Sequence, residues 1–544
     1  MKENKINFYH LILWVVISII FTIIQIQHSL RQGQLALPPS FDDVAYFDDA
    51  LTRLRIFYDG GVLSLLTSHI EKPPHSPLST LIPFLGFAFF GIRDWAPSAI
   101  NFILVFLLLL FIDYLSGNLP IAWKIFIVIT SLTWLIPGHL IIECRPDIFC
   151  GLLMASFVVL ITERPWLAAS KNRHFMVGIL IGFALLSKPA ISPVTIVLAI
   201  SAIGIVTLIE IFAGGYKVQW KQIIIPVIRC FGVAILIALP HYLFAFKKVV
   251  QYIYQTLVVD IDIWQPIERS LLEDILFYLT GFGGKMMLNN WLYLWLFIAI
   301  ITVTIVIYKK DWGSMVRVSG LAGGILITYT IVTVSEHKTP FTGVVFPCFF
   351  LFTYVMMITY IIQYYLTVKK VALRRIILLT LASIFSISLL LFQWPATNDT
   401  AAPRSGSLAE TRYYNQRLEQ IYQTISNNIP EVSQENYDVY ITSVSHWLHY
   451  ANLRYYSEKV GDRRLIFAHY PKSDDTKLMI DKIQQSDFII TFKPDNSEVP
   501  SWLPSSRVQS EILDFLEQNS NFKLLKTYTN PYTDGTIFLY SRTK

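Results

Sequence analysis

The sequence predicts a polytopic α-helical membrane protein of about eleven transmembrane helices plus juxtamembrane helices, with a C-terminal extracytoplasmic α/β domain. Three observations predict it. First, 54% of the 544 residues are hydrophobic and only 15% are charged, with a mean hydropathy of +0.50. A soluble chain carries about 25% charged residues. Second, apolar runs near the roughly 20 residues that a helix needs to cross a bilayer recur as far as residue 394. Third, basic residues gather in alternate connections between those runs, and the runs stop beyond residue 394. The formal net charge of +6 is spread over these short clusters and does not point to nucleic acid.

Lys2 and Lys5 precede an apolar run from Phe8 to about Gln27. The run is longer than a signal-peptide core and no small-x-small cleavage site follows. A retained first span over 8–28 with a cytoplasmic N-terminus is therefore expected. A polar loop over residues 38–78 comes next. Within it, residues 41–58 fit an amphipathic helix: Phe47, Leu51, Leu54 and Tyr58 share one face, and Asp42, Tyr46, Asp49 and Arg53 another. Such a helix would lie on the membrane surface with its acids turned to water or to a cavity. Residues 77–92 are apolar but short and contain Pro77 and Pro83, which fits either a short span or a re-entrant helix.

The later loops decide between the two. If 77–92 returns to the outer side, further spans fall near 97–116, 119–137, 144–162, 174–187, 190–213, 222–245, 287–308, 316–334, 341–366 and 374–394. The cytoplasmic loops then hold Lys124; Arg164, Lys171 and Arg173; Lys217 and Lys221; Lys309, Lys310 and Arg317; and Lys369, Lys370, Arg374 and Arg375. Counting 77–92 as a full span would put every one of those clusters outside, against the positive-inside bias.

Residues 395–544 contain no spanning run and read as a second domain beside the membrane domain, residues 1–394. Tyr437 to Ser443, Arg464 to His469 and Asp487 to Phe492 read as buried strands, with helices near 411–427, 446–458, 475–485 and 507–518. Residues 522–529 and 536–542 pair as a hairpin across Asn530-Pro531-Tyr532-Thr533-Asp534-Gly535. About 150 residues suffice for a separate core. Cys144, Cys150, Cys230 and Cys348 all lie before this domain, so no disulfide framework is expected, and no paired Cys or His spacing suggests zinc.

The outer face collects the ionisable residues that could carry chemistry. Asp42 and Asp43 follow Pro38-Pro39-Ser40-Phe41, a setting in which acids cap a helix. A carboxylate, ionised above a pKa of about 3.9, is also suited to take a proton from an attacking hydroxyl. Arg145-Pro146-Asp147 opens an apolar run at the membrane boundary, where ionisable groups are costly and are paired or functional; a helix N-terminus with a first-turn acid is the plainer reading. Lys188 sits on an outward turn against the positive-inside bias, and either snorkels or meets an anion. Lys72 in Glu-Lys-Pro-Pro, and His337 and Lys338 in Ser-Glu-His-Lys-Thr-Pro, pose the same choice. Cations and carboxylates together at membrane depth suit a lipid-linked phosphate bearing a leaving group: the cations stabilise the departing phosphate and an acid activates the acceptor.

Other signals are weaker. Asp260-Ile-Asp262 has the spacing of a metal–nucleotide pair but lies in an outer loop. Gly281-Phe282-Gly283-Gly284-Lys285 lacks the strand and spacing of a phosphate loop and reads as a break before the next span. Tyr252 and Trp264 could stack on a sugar or belong to the interfacial aromatic belt. No Ser-His-Asp order and no nucleophile elbow supports a hydrolase.

As a set, these motifs resemble the GT-C superfamily of polyprenyl-phosphate-sugar-dependent glycosyltransferases, especially the branch of bacterial aminoarabinose transferases and protein O-mannosyltransferases. In that branch the first outer loop carries Asp-Glu-x-x-Tyr; Asp42-Asp43-Val44-Ala45-Tyr46 matches with Asp43 in place of Glu. Lys72-Pro73-Pro74 matches Lys-Pro-Pro-Leu, with His75 replacing Leu. Arg145-Pro146-Asp147 fits an Arg-x-Asp-like element. Lys188-Pro189 resembles Lys-Gly-Pro without the glycine, and His337 to Pro340 resembles a loop that faces the donor. The likeness covers roughly residues 1–394 and leaves the C-terminal domain unmatched except in placement.

The resemblance implies inverting transfer of a sugar from a polyprenyl phosphate to an acceptor hydroxyl on the extracytoplasmic face of the inner or plasma membrane. Asp42 would be the base, and Asp43 and Asp147 would orient the acceptor or hold a divalent cation. Lys72, Arg145, Lys188, His337 and Lys338 would hold the donor phosphate. Metal dependence varies across the superfamily, so Mg or Mn is left open. Expected partners are the lipid-linked sugar donor, a glycan, lipid or protein acceptor, and membrane lipids. A flippase of lipid-linked sugar would use similar residues but needs paired repeats with broken spans, and none is read in the sequence.

Overall fold

In hydrocarbon each peptide group must find its hydrogen bond within its own segment, so the Leu-, Ile-, Val- and Phe-rich runs of this chain become helices. The computed structural model describes residues 8–31, 35, 42–71, 77–162, 165–214, 219–259, 270–334, 338, 341, 343–394, 398–399, 402–403, 408–430, 436–445, 447–468, 473–494, 496, 498–501 and 503–543. In chain order the helices of the first 394 residues are α1 (Phe8–Arg31), α2 (Asp42–Glu71), α3 (Pro77–Phe90), α4 (Ala96–Leu115), α5 (Ile121–Leu132), α6 (Leu135–Ile142), α7 (Pro146–Thr162) and α8 (Lys171–Ser187). They continue with α9 (Pro189–Phe212), α10 (Trp220–Tyr254), α11 (Leu271–Leu276), α12 (Phe282–Met287), α13 (Trp291–Lys309), α14 (Trp312–Val334), α15 (Val345–Thr367) and α16 (Val371–Leu390).

A helix stands at each of the spans read from the sequence. Among the described residues seven are long and apolar enough to cross a membrane: α1, α4, α9, α10, α13, α15 and α16. The pair α5 and α6, bent by 65°, makes an eighth when the two are taken as one broken span. The bend falls where Trp134 turns extended and its indole stacks on Trp291, with ring centroids 4.8 Å apart. Helices α3 and α7 are shorter and apolar, and the 14-residue α3 contains Pro83. Close packing uses small residues: a Cβ on Gly178 or Gly182 of α8 would run into α10 at Cys230 or Ile237.

One end of the bundle carries the basic clusters and is pinned there. Lys124 Nζ donates to Asp113 at 2.8 Å, Lys309 lies 4.9 Å from the Tyr364 ring centre, and Arg374 lies 4.9 Å from that of Tyr365. Glu210 accepts the backbone N–H groups of Trp166 and Leu167 and so closes the turn between α7 and α8.

The C-terminal domain contains α17 (Leu408–Asn427), α18 (Tyr450–Val460), α19 (Thr476–Gln485) and α20 (Gln509–Gln518). Its strands are β1 (Tyr437–Ile441), β2 (Leu465–Ala468), β3 (Phe488–Phe492), β4 (Phe522–Thr529) and β5 (Thr536–Arg542), in the order β2-β1-β3-β5-β4. Strand β1 runs parallel to β2 and β3, and β5 runs antiparallel to β3 and β4. Alternation splits the side chains into two cores. Val439, Ile441 and Ile490 pack with Ile421 and Leu453 on one face, and Tyr440 and Ile489 pack with Ile483 and Ile512 on the other.

Helix α2 departs from the flat surface helix that its amphipathic pattern suggests. It runs on to Glu71 through a kink at Gly61, whose φ of 72° favours glycine. Its apolar face (Val44, Phe47, Leu51 and Leu54) is buried against Phe87, Ala96, Cys144 and the C-terminal residues Ala451 and Tyr455, while Tyr58 is exposed. The polar residues do not simply face water: Asp48 and Arg53 are buried. A domain partner covered the helix, and hydrophobic periodicity alone cannot distinguish that partner from a bilayer.

Asp48 also meets Arg454 of α18, at 2.9 Å. Burial pushes its carboxyl up to about 7, Arg454 pulls the other way, and Glu458 and Asp49 add to the rise against Arg55. A free aspartate titrates near about 3.9. Because the folded value is the higher one, the stabilisation from this group is complete below about pH 4 and is lost as pH rises through about 7. Hydrogen exchange over Tyr450–Val460, corrected for intrinsic rates, should therefore accelerate between about pH 5 and pH 8. Asp48→Asn should flatten that dependence; a slope that survives the substitution would assign it to another group.

Candidate active site

The opposite end of the bundle from the basic clusters gathers the outer-loop residues. Pro189 disfavours helix at the residue before it, so α8 stops at Ser187 and Lys188 is extended, with φ −148° and ψ 109°. That exit sends the Lys188 ammonium onto Asp147 Oδ1 at 2.6 Å. Asp147 stands in the first turn of α7, behind Pro146, where an acid meets the positive end of the helix dipole. Its side chain is fully buried, and Oδ2 has no hydrogen-bond partner. Arg145, half-buried, covers the Phe341 ring at 4.1 Å from the centroid.

Three residues before Phe341, the buried Lys338 pairs with Asp274 at 3.2 Å. Asp274 is positioned by a capping box at the start of α11, in which Ser270 and Glu273 bond reciprocally. The glycine-rich stretch after it is a tight bend: a Cβ on Gly284 would collide with the Leu279 carbonyl. Tyr278 lies against Gly343 in the same way.

Beside this segment lies a cavity of about 780 Å³. Leu279, Tyr329 and Phe346 line it near the site, and Tyr360 and Gln363 line it toward the basic end of the bundle. Most of its wall is apolar side chain from α13, α14 and α15.

Sequence reasoning placed Asp49 and Arg53 on one face of α2 but missed the residues that gather around them. Arg53 Nε bonds Asp49 at 2.9 Å and its Nη1 bonds Ser68 at 2.9 Å, which ties the two halves of α2 across the Gly61 kink. His69 is pushed down to about 4 by burial and then by Arg53, so it is a neutral imidazole at physiological pH. His241 of α10 is buried with Nε2 unpartnered. The Asp49–Arg53 pair has helical i,i+4 spacing and was visible in the sequence; the two histidines gave no such signal.

Of the residues singled out from the sequence, Arg145, Asp147, Lys188 and Lys338 come to this end. The backbones of Asp42 and Asp43 open α2, which agrees with a helix start. The side chains of Asp42 and Asp43 lie outside the described residues, as do Lys72, His337, Asp260, Asp262 and Trp264. Among the described residues no three His, Cys, Asp or Glu side chains gather as a metal centre.

Asp147 and Lys188 neutralise each other in a poorly hydrated place. Removing one partner of such a pair costs about 3–5 kcal/mol because a buried charge is left uncompensated. Lys188→Met should therefore lower thermal stability in detergent more than the double variant Asp147→Asn/Lys188→Met. Equal destabilisation by both would show that the pair is not desolvated.

No protein-family model and no curated protein matches the sequence. Solved structures do. ArnT from Cupriavidus metallidurans in the apo state superposes with a TM-score of 0.59 at 11% identity, covering 97% of this chain and 97% of that one. The same protein bound to undecaprenyl phosphate gives a TM-score of 0.53 at 11% identity, covering 97% of this chain and 98% of that one. The chain thus shares the fold of ArnT over nearly its whole length, and the likeness extends into the C-terminal domain that sequence motifs left unmatched.

Proposed function

We propose that this chain is an integral membrane glycosyltransferase that moves a sugar, with inversion, from a polyprenyl-phosphate donor to an acceptor hydroxyl on the extracytoplasmic face. The observation that carries the reading is the buried carboxylate of Asp147, paired with Lys188 and standing two residues after Arg145, whose guanidinium covers Phe341; the buried Lys338 stands three residues before that ring, and an apolar-walled cavity lies beside the same segment. Its fold neighbour ArnT, in a structure bound to undecaprenyl phosphate, supports the lipid class of the donor. The positive-inside pattern of the basic clusters supports a cytoplasmic N-terminus and an outer site.

In this reading the acceptor oxygen attacks the anomeric carbon from the side opposite the phosphate. A bond forms from that oxygen to carbon, the bond from carbon to the phosphate oxygen breaks, and its electron pair leaves with the phosphate. Asp42 takes the acceptor proton. Arg145, Lys188 and Lys338, with Lys72 and His337, stabilise the departing phosphate. Lys188 has three N–H donors, so it can keep Asp147 and still donate to phosphate. Asp147 Oδ2 has no hydrogen-bond partner and would accept from an acceptor hydroxyl or, with Asp43, hold a divalent cation. Such a cation would supply further charge neutralisation at the phosphate. The apolar cavity would take the polyisoprenyl tail.

Mass spectrometry of surface glycans and polyprenyl-phosphate sugars in a deletion strain tests the reading. The donor should accumulate and one glycan, glycolipid or glycoprotein should lose a sugar. Complementation with Asp42→Asn should leave the defect intact although the protein reaches the membrane. An active Asp42→Asn enzyme would remove the base assignment. Lipid translocation in vesicles without bond formation would support a flippase instead.

A further inference from the structure

The C-terminal domain grips the membrane part through α18. One face of this helix belongs to its own domain: Leu453 sits in the sheet core, and Tyr456 packs on Tyr422 with ring centroids 5.0 Å apart. The other face, at helical spacing, faces the membrane part. Ala451 and Tyr455 enter the apolar cluster of α2, where Tyr455 lies edge-on to Phe47 at 5.7 Å and near Phe87 at 6.2 Å. Charged residues surround that cluster. Arg454 pairs with Asp48 at 2.9 Å, Glu458 pairs with Arg55, and Lys459 pairs with Asp94 at 3.1 Å. The Tyr455 hydroxyl donates to Asp94 Oδ1 at 2.8 Å. His449 caps the helix N-terminus by accepting from the Ala451 N–H, and Gly461 ends it with a φ of 81°.

What α18 touches is what the transfer reaction needs to position. Asp48 lies six residues beyond Asp42 on the same helix, a rise of about 9 Å. Asp94 sits in the turn that joins α3 to α4, so that turn is tied to the same helix as α2. Cys144 belongs to the same apolar cluster and directly precedes Arg145. The two outer segments that carry Asp42 and Arg145-Asp147 therefore share one core, and α18 completes it.

We infer that α18 is a positioning element of the transfer site: Arg454 and Tyr455 hold α2, the 91–95 turn and Cys144 in one cluster and thereby set where Asp42 and Asp147 stand. The catalytic half of this inference rests on the glycosyltransferase reading, whereas the mechanical half does not. A domain that merely sits on the membrane part would tolerate loosening of these contacts without loss of product.

The test uses the full-length protein in lipid nanodiscs and the complemented deletion strain. Hydrogen exchange over residues 42–58 is measured for Arg454→Asp, for Tyr455→Phe and for the charge swap Arg454→Asp/Asp48→Arg. Arg454→Asp should speed exchange about fivefold and cut the glycan product about fivefold, the upper end of what losing one partly exposed ion pair produces. The charge swap should recover most of both losses, which simple damage to folding would not allow. Tyr455→Phe removes only the hydroxyl bonded to Asp94 and should give a smaller change in the same direction, which keeps the test open should Arg454→Asp fail to fold. Unchanged exchange in both single variants overturns the clamp. Faster exchange with undiminished product overturns the positioning role. Exchange does not depend on turnover, so failure of the glycosyltransferase reading, seen as an active Asp42→Asn protein, is distinct from failure of the clamp.

Discussion

A charge at the edge of a bilayer must be paired, and the ion pair between Asp147 and Lys188 is where this chain meets that requirement most sharply. Its carboxylate is completely buried and its lysine partly so, with 2.6 Å between them. The pair fixes the exit of α8 against the entry of α7, and the neighbouring Arg145 is thereby set over Phe341. The same logic recurs at Lys338 and Asp274, and at the opposite end at Lys124 and Asp113. Hydrophobic burial drives the bundle together, but these pairs decide which helix ends meet, because an unmatched end would leave a desolvated charge.

Much of this could be read in advance, for a physical reason. Spans announce themselves by local composition, so each of the eleven predicted spans has a helix. The C-terminal strands were readable because Val439, Tyr440 and Ile441 alternate toward two different cores. Lys188 and Asp147 stood out singly because a charge beside an apolar run is expensive. Their pairing was not readable, since 41 residues separate them and only the packing of α7 on α8 joins them. Asp274, the partner of Lys338, lay hidden in a helix cap, and the docking of Arg454 on Asp48 spans the whole length of the membrane domain. Helix α2 shows the limit most clearly. Its stripe was correct, but a stripe states only that something apolar covers it, and the cover turned out to be protein.

The ion pairs also constrain how the site can work. Among the described residues, Lys188 is held by Asp147 and Lys338 by Asp274, so these two lysines are already balanced before a ligand arrives. A phosphate entering such a site adds negative charge that must be met by sharing these lysines, by the guanidinium of Arg145, or by cations on the outer loops. Sharing is cheap for an ammonium with three donors, and it leaves the carboxylates less tightly held. On the proposed glycosyltransferase reading, donor binding would then loosen Asp147 from Lys188 just as an acceptor hydroxyl needs a carboxylate oxygen. Asp147 Oδ2, which has no hydrogen-bond partner, would serve that second half of the exchange. If the chain acts as the glycosyltransferase proposed, a site built from paired charges of this kind would order its two substrates electrostatically, with the anionic donor first and the neutral acceptor second.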